Sequence, residues 1–441
     1  MRKNRFATLA ALSLSIALGS AVTARAQVQP GDVISPGNAS KVENLVSPGN
    51  FALVKQGMTM KIIPSTHLEW PPPYKAATEQ YSPQVSLTPD VELKNYVAGL
   101  PFPLVDANDP QAATKIMWNF TFRPLYTDDI DARNAEAVSH TAGSADEIEH
   151  FTFGHFGDYR YVGRTEVAPM PVDPDVLKTG IASRAGVYPV LDPVEMSGAG
   201  IVRQRSVLPG VEDAVWEYSS ASRKLRRLPA AELSDAFGVS RSGSSERGGS
   251  NAGTTTFAST WDPDSAYGFA ARVQDYNYRL LGEQPLLASV DGGSPATPCT
   301  ADGGRSVCPE NWQVRRVYVI EATAKPRSPA GGNVIVPRRV LYIDSEGWFI
   351  TASDLYDYNG RLWKTIANFH AYSDRATPNA RVAIWPFKRI FQTAMVEEDV
   401  TDGFSTVVYS PGLNSRNGLY VNMGAIDRDF FTPARMVRTG Y

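Results

Sequence analysis

Cys299 and Cys308 are the only two cysteines in this 441-residue chain, and they lie in a Gly, Pro, Ser and Asp-rich stretch from Asp291 to Pro309. Such a stretch reads as a surface loop. In an oxidising compartment two thiols this close most simply form a disulfide. A metal or redox role fits poorly, because the spacing is not Cys-x-x-Cys and no histidine is near. His150 and His155 lie five apart with Glu147, Glu149 and Asp158 around them. That is a metal-ligand chemistry in looser spacing than zinc sites use, and strand or turn residues facing solvent are the simpler reading. Asp128, Asp129 and Asp131 offer calcium-binding oxygens but lack the glycine and the distal glutamate of an EF-hand loop, so a solvated acidic turn is expected. The basic run Arg223, Lys224, Arg226 and Arg227 suits either lipid phosphates or, more commonly, a solvated hairpin face. Gly238-Val239-Ser240-Arg241-Ser242-Gly243 has a second serine where a nucleophile elbow requires glycine. There is no phosphate-binding loop and no dinucleotide fingerprint. The sequence therefore assigns no catalytic residue, no cofactor and no metal ligand, and the reading is of a protein that is not an enzyme.

The N-terminus carries a different signal. Arg2, Lys3 and Arg5 precede an apolar run from Phe6 to Leu18, and Ala24-Arg25-Ala26 forms a small-x-small site. The pattern predicts a secretory signal peptide over residues 1–26, cut between Ala26 and Gln27. The apolar run is too short for a spanning helix, which needs ~20 residues. No later stretch is long and apolar enough to cross a bilayer as a helix. No cysteine at the cut can take a lipid anchor, so the expected location is the periplasm, peripheral to the outer membrane at most. The chain as written carries a net charge of −3, and removing four positive charges with the signal takes it to about −7. That balance gives no footprint for nucleic acid.

The elements that must position any site read mainly as strands. Tyr (19), Phe (18) and Trp (8) are plentiful beside frequent Gly and Pro, which favours strands and turns over long helices. Short helices are expected near Asn38, over Tyr74 to Gln80, and after Asp109-Pro110, where Ala113, Ile116, Met117 and Phe120 share one face. Asp262-Pro263 repeats the start signal before Tyr267, Ala270 and Ala271. Glu149 to Phe153 and Tyr159 to Arg164 flank Gly154-His155-Phe156-Gly157, a hairpin candidate. Val215 to Tyr218 and Lys224 to Leu228 form another. Val314 to Ala322, Val340 to Asp344, Trp348 to Ala352 and Leu362 to Phe369 are β-branched and aromatic runs, punctuated by turns at Ala330 to Asn333, Ser345 to Gly347 and Asn359-Gly360. Short turns between consecutive strands make them antiparallel neighbours. The expected fold is α+β, mainly antiparallel: a large curved sheet or unclosed β-barrel with helices on its concave face. Both faces of Val314 to Ala322 are apolar, so both need covering, by protein or by ligand. One large domain is expected over 27–441, with a helical and linker region to about residue 125 and flexible loops at 240–256 and 291–311.

Several segments together resemble a family of exported Gram-negative proteins, domain of unknown function 1329. They are Gly99-Leu100-Pro101-Phe102-Pro103, Asn108-Asp109-Pro110, Lys115-Ile116-Met117-Trp118-Asn119, Trp216-Glu217-Tyr218 with Arg226-Arg227, Arg315 to Ala322, Arg339 to Asp344, and Leu355-Tyr356-Asp357 leading to Gly360-Arg361-Leu362-Trp363. The resemblance runs from about Val33 to about Phe431. It implies a relation to outer-membrane lipoprotein-sorting proteins, whose unclosed barrel over helices encloses an apolar cavity for acyl chains. It carries over no catalytic residues. The function expected from it is a carrier for a lipid or other hydrophobic molecule. A sixteen-carbon chain in water costs on the order of 12 kcal/mol at ~0.8 kcal/mol per methylene, so transit through an aqueous compartment calls for a shielded cavity. The alternatives are an accessory cell-envelope protein beside a transport complex, with its own side chains filling the sheet, and a hydrolase with an unrecognised site.

Overall fold

The structure is a computed structural model. It describes residues 28–440 except 142–143, 145, 229–264, 295, 326–335, 379–380, 402 and 411–417. The signal segment with Ala26-Gln27, the Gly238–Gly243 stretch, the 240–256 loop, Asp262-Pro263 and the Ala330–Asn333 turn lie outside the described residues.

Thirteen strands form one continuous antiparallel run. In chain order they are β1 (Asp129–His140), β2 (Glu147–Arg160), β3 (Ile181–Val187), β4 (Gly200–Ser206), β5 (Ala214–Ser219), β6 (Lys224–Leu228), β7 (Tyr276–Ala288), β8 (Asn311–Ala324), β9 (Arg338–Asp344), β10 (Ile350–Tyr356), β11 (Leu362–Arg375), β12 (Ile384–Asp399) and β13 (Ser405–Tyr409). Across the sheet they lie in the order β6-β5-β4-β3-β2-β1-β13-β12-β11-β10-β9-β8-β7. The chain thus starts mid-sheet, meanders to one edge, crosses to the other edge and meanders back to its start. Among the described residues the edge strands β6 and β7 do not pair, so the curved sheet is not closed into a barrel. Short strands Val190–Asp192 and Gly418–Val421 add to β2 and β1. Met60–Ile62 pairs in parallel with the start of β8.

The turns follow from local chemistry. Between β9 and β10 the Asp344 carboxylate accepts from the amides of Glu346 (2.9 Å) and Gly347 (2.7 Å). Between β10 and β11 Asp357 does the same for Asn359 (2.8 Å) and Arg361 (2.9 Å), and Gly360 takes φ +74°. Aspartate side chains that bind the backbone two residues on are a standard turn device.

One expected hairpin is corrected. Gly154-His155-Phe156-Gly157 is no turn: Glu147–Arg160 is one strand, paired with β1 from Asp129↔Tyr159 to His140↔Glu147. The glycines serve close packing instead. A Cβ on Gly157 would stand 1.9 Å from the Ile130 carbonyl oxygen, and one on Gly154 2.9 Å from Pro189. Likewise Tyr267 closes a single 3-10 turn, Ser265–Tyr267, and Ala270 and Ala271 are in no helix. The 291–311 segment, expected as a flexible loop, carries a small ladder of Thr297–Pro298 with Val307–Cys308, and Ala296, Cys299 and Val307 are buried.

Helices cover the sheet. α1 (Pro48–Gln56) starts on Ser47, whose hydroxyl accepts from the Asn50 amide (3.0 Å). α2 (Pro72–Tyr81) and α3 (Ala112–Thr121) follow, and the Asp109 carboxylate accepts from the Gln111 amide just before α3 (2.7 Å). Strand alternation sends Ile366, Met395 and Val408 into a cluster with Ile116, Met117 and Phe120 of α3 and Tyr74 of α2. It sends Ala367, Val396 and Val407 into a second cluster with Leu53 and Val54 of α1 and Ile34, Met60 and Ile62. The two faces of the central strands therefore have different covers. A third cluster seats Phe431 and α4 (Pro433–Thr439) on Tyr159, Tyr161, Tyr188 and Tyr218.

Candidate functional site: an apolar cavity on the inner sheet

The first cluster is not filled completely. A cavity of about 50 Å³ lies between β1, β2, β12 and β13, against Ile130, Ala132, Ala135, Phe156, Met395 and Val408, with Leu419 beside them. A smaller void of about 10 Å³ shares Thr393, Ser410 and Leu419 with it. Small residues make the space: Ala132 and Ala135 stand opposite Phe156 and Phe153 of β2. The cavity is bordered by Ala266 and Tyr267, from the strap Ser265–Asp275 that leads into β7. The Gln392 amide nitrogen donates to the Ala266 carbonyl (2.5 Å) and to Asn368 Oδ1 (3.2 Å), which pins the strap to the sheet. The Tyr267 ring meets Tyr126 at 5.6 Å, and the Arg123 guanidinium lies 4.5 Å from its centre. The described lining contains no carboxylate, histidine or cysteine. Its chemistry is exclusion of water from apolar matter. As it stands the space takes one or two small groups, whereas binding pockets for larger ligands occupy ~300–1,000 Å³.

The residues singled out from sequence fall elsewhere. Cys299 and Cys308 are joined in a disulfide with Cα atoms 5.0 Å apart. The Glu310 carboxylate lies close to both sulfurs. It accepts from the Thr59 amide (3.2 Å) and from the Ser306 and Thr59 hydroxyls, tying this hairpin to the N-terminal strand; burial pushes its carboxyl up to about 7. His150 and His155 do not converge. His150 lies 3.3 Å from Glu136 and 3.4 Å from Glu147, while His155 Nδ1 meets Asp131 at 2.9 Å and its ring lies edge-on to Phe430.

The acidic triplet is corrected as a solvated turn: Asp128, Asp129 and Asp131 are all fully buried at the start of β1. Asp128 accepts from the amides of Thr165 (2.9 Å) and Glu166 (3.0 Å), and burial raises its carboxyl to about 6. Asp129 accepts from Gly424 and Ala425 (both 2.9 Å), and Asp131 pairs with Arg133 and His155. They point to different partners, and Asp129 alone of the three carboxylates fastens the C-terminal segment among these bonds. Of the basic run, Arg226 pairs with Glu217 and Arg227 lies 5.9 Å from the Trp216 ring on the exposed edge hairpin.

Sequence reasoning passed over the strap and Gln392. Tyr267 stood in a helical pattern, and nothing local to Gln392 marks it. It also passed over Asp354, fully buried on β10. Asp354 accepts from the hydroxyls of Ser47 (3.2 Å), Thr365 (3.0 Å) and Tyr342 (3.3 Å) and from the Gly49 amide (3.3 Å), fixing the start of α1 to the outer face.

A family profile described as a protein of unknown function, DUF1329, matches residues 33–436. No curated protein matches the chain. Among solved structures, a domain described as an outer membrane lipoprotein-sorting protein from Vibrio parahaemolyticus is 12% identical with a TM-score of 0.44, over 74% of this chain and 97% of that one. A DUF1329 family protein from Desulfovibrio piger is 16% identical with a TM-score of 0.42, over 74% and 98%. A LolA superfamily protein from Nitrosomonas europaea is 14% identical with a TM-score of 0.34, over 70% and 91%.

Proposed function

We propose, for a chain that belongs to the DUF1329 family, the role of a non-enzymatic periplasmic carrier or binding protein for a lipid or other hydrophobic molecule. In this reading residues 1–26 direct export, cleavage falls before Gln27, and one domain from 27 to 441 works in the periplasm beside an envelope transport protein. The observation that carries it is the apolar cavity of about 50 Å³ behind the Ala266–Tyr267 strap. A sheet that leaves such a space, lined with alanines and bordered by a short segment, can enlarge it where that segment moves away. Native mass spectrometry of the mature protein after gentle extraction tests the reading. A co-purifying lipid is expected, and Ala135→Phe, which fills the space from β1, should lose it while keeping the wild-type circular dichroism. A protein that carries no lipid and takes none up from mixed micelles refutes it.

A second reading is an accessory envelope protein whose sheet is filled by its own side chains. The smallness of the cavity favours it, and the same experiment with no bound lipid in either protein supports it.

A further inference from the structure

β4 places Arg203 and Arg205 two residues apart, hence on one side of the strand. Both reach Asp213, which directly precedes β5: Arg203 Nη1 at 3.5 Å and Arg205 Nη2 at 2.8 Å. Arg272, from the strap, reaches the same carboxylate at 3.3 Å. Three guanidinium groups from two separate parts of the chain therefore converge on one carboxylate, in a protein whose net charge is −3. All four side chains are largely buried, at 3% exposure for Arg203, 20% for Arg205, 13% for Arg272 and 10% for Asp213. Burial pushes the Asp213 carboxyl up, but Arg205, Arg203 and Arg272 together outweigh it and hold it below the ordinary carboxylate value. Burial, with Arg205 and Arg203, also draws Arg272 below its ordinary value against the pull of Asp213.

The surroundings are apolar and exposed. Arg272 donates to the carbonyls of Ser206 (2.8 Å) and Leu208 (3.4 Å). This holds up a loop whose Val207, Leu208 and Val211 are 40%, 58% and 45% exposed. Arg205 donates to the Ala270 carbonyl (2.6 Å), four residues beyond the Ala266 that borders the cavity. Convergent planar guanidiniums are the preferred partners of phosphate and carboxylate oxygens. An apolar rim over such a cluster matches a molecule with an anionic head and an apolar body.

We propose that Arg203, Arg205 and Arg272 bind the anionic head of an amphiphile, a phosphate monoester or a carboxylate, with Asp213 holding that place in the unliganded protein. The proposal rests on the carrier reading and names its ligand class. An anion that draws Arg205 from Ala270 also loosens the strap over the cavity, so head recognition and tail admission are linked.

The test is calorimetric titration of the mature chain with three probes below their micelle concentrations: dodecyl phosphate, dodecyl maltoside and inorganic phosphate. Dodecyl phosphate should bind about tenfold more tightly than the maltoside, the scale of one charge-assisted contact, and inorganic phosphate much more weakly. Arg203→Gln, which leaves the Arg205–Ala270 bond in place, should lower dodecyl phosphate affinity about tenfold and leave the maltoside unchanged. Asp213→Asn, which removes the competing carboxylate, should raise dodecyl phosphate affinity; a merely structural cluster would give no gain. Equal affinities for dodecyl phosphate and maltoside in all three proteins overturn the head site and leave the carrier reading standing. Inorganic phosphate binding as tightly as dodecyl phosphate overturns the amphiphile in favour of a free anion. No binding of either detergent overturns both readings.

Discussion

Asp354 gives a pH signature that can be worked from its surroundings. The carboxylate is fully buried on β10, and its partners are three hydroxyls and an amide. Burial raises its carboxyl from 3.8 to about 6, the four hydrogen bonds recovering only part of the cost. The folded chain thus holds this proton more tightly than the unfolded chain does. The resulting stabilisation is complete below pH 3.8 and is lost as pH rises through about 6. Between pH 7.5 and pH 5 the linkage amounts to about 1 kcal/mol, and at full protonation to about 3 kcal/mol. Asp354→Asn keeps the shape and removes the titration. Urea unfolding of both proteins at pH 7.5 and pH 5 isolates the group, because every other titration is shared and cancels in the double difference. On acidification the wild type should gain about 1 kcal/mol more than the variant. Parallel pH dependences would refute the burial argument, and a variant that gains more than the wild type would reverse its sign.

Two further perturbations follow from the packing. The disulfide closes a sequence separation of nine, so Cys299→Ser should lower unfolding free energy by about 2–3 kcal/mol in the chain-entropy model, and dithiothreitol should lower the wild type alone in a thermal melt. Arg164, 2% exposed, donates to the carbonyls of Asp128, Arg160, Val167 and Pro169, so Arg164→Met should cost about 3–5 kcal/mol in urea unfolding, and a loss below 1 kcal/mol would show that water replaces it.

Legibility from sequence followed the range of the interactions involved. Val314 to Ala322, Val340 to Asp344 and Leu362 to Phe369 were readable because β-branched residues, alternation and Asp or Gly turns all act within a few residues. Those runs became β8, β9 and β11, somewhat longer than read. Gly154 and Gly157 misled for a physical reason. A glycine that ends a strand and one that admits a crossing backbone look alike until the partner, here the Ile130 carbonyl, is in place. The two apolar faces of β8 were readable, but not their covers: Ile320 and Ala322 pack in the cluster that holds α3, whereas Val317 and Val319 meet Leu286, Val340 and Tyr342 of the neighbouring strands. The cavity was not readable at all. Its walls come from residues 130–135, 156, 266–267, 392–395, 408–410 and 419, and no local period links them. The Asp128, Asp129 and Asp131 group was visible as acidic, but its burial depends on amides at 165–166 and 424–425.

The strand order has a consequence for how this chain can be divided. β6 and β7 follow one another in sequence yet bound opposite edges, while β1 and β13 are far apart in sequence yet meet at the centre. Cutting the connection between β6 and β7 would therefore sever no pairing of the thirteen-strand run. It would yield two fragments, each a complete meander of consecutive neighbours. Within the thirteen-strand run they share one seam, where Ser139 meets Thr406 across 267 residues, and the short strands Met60–Ile62 on β8 and Gly418–Val421 on β1 reinforce it from either side. Such a sheet is two locally wound ribbons zipped along one line, and the two fragments expressed separately should find each other there.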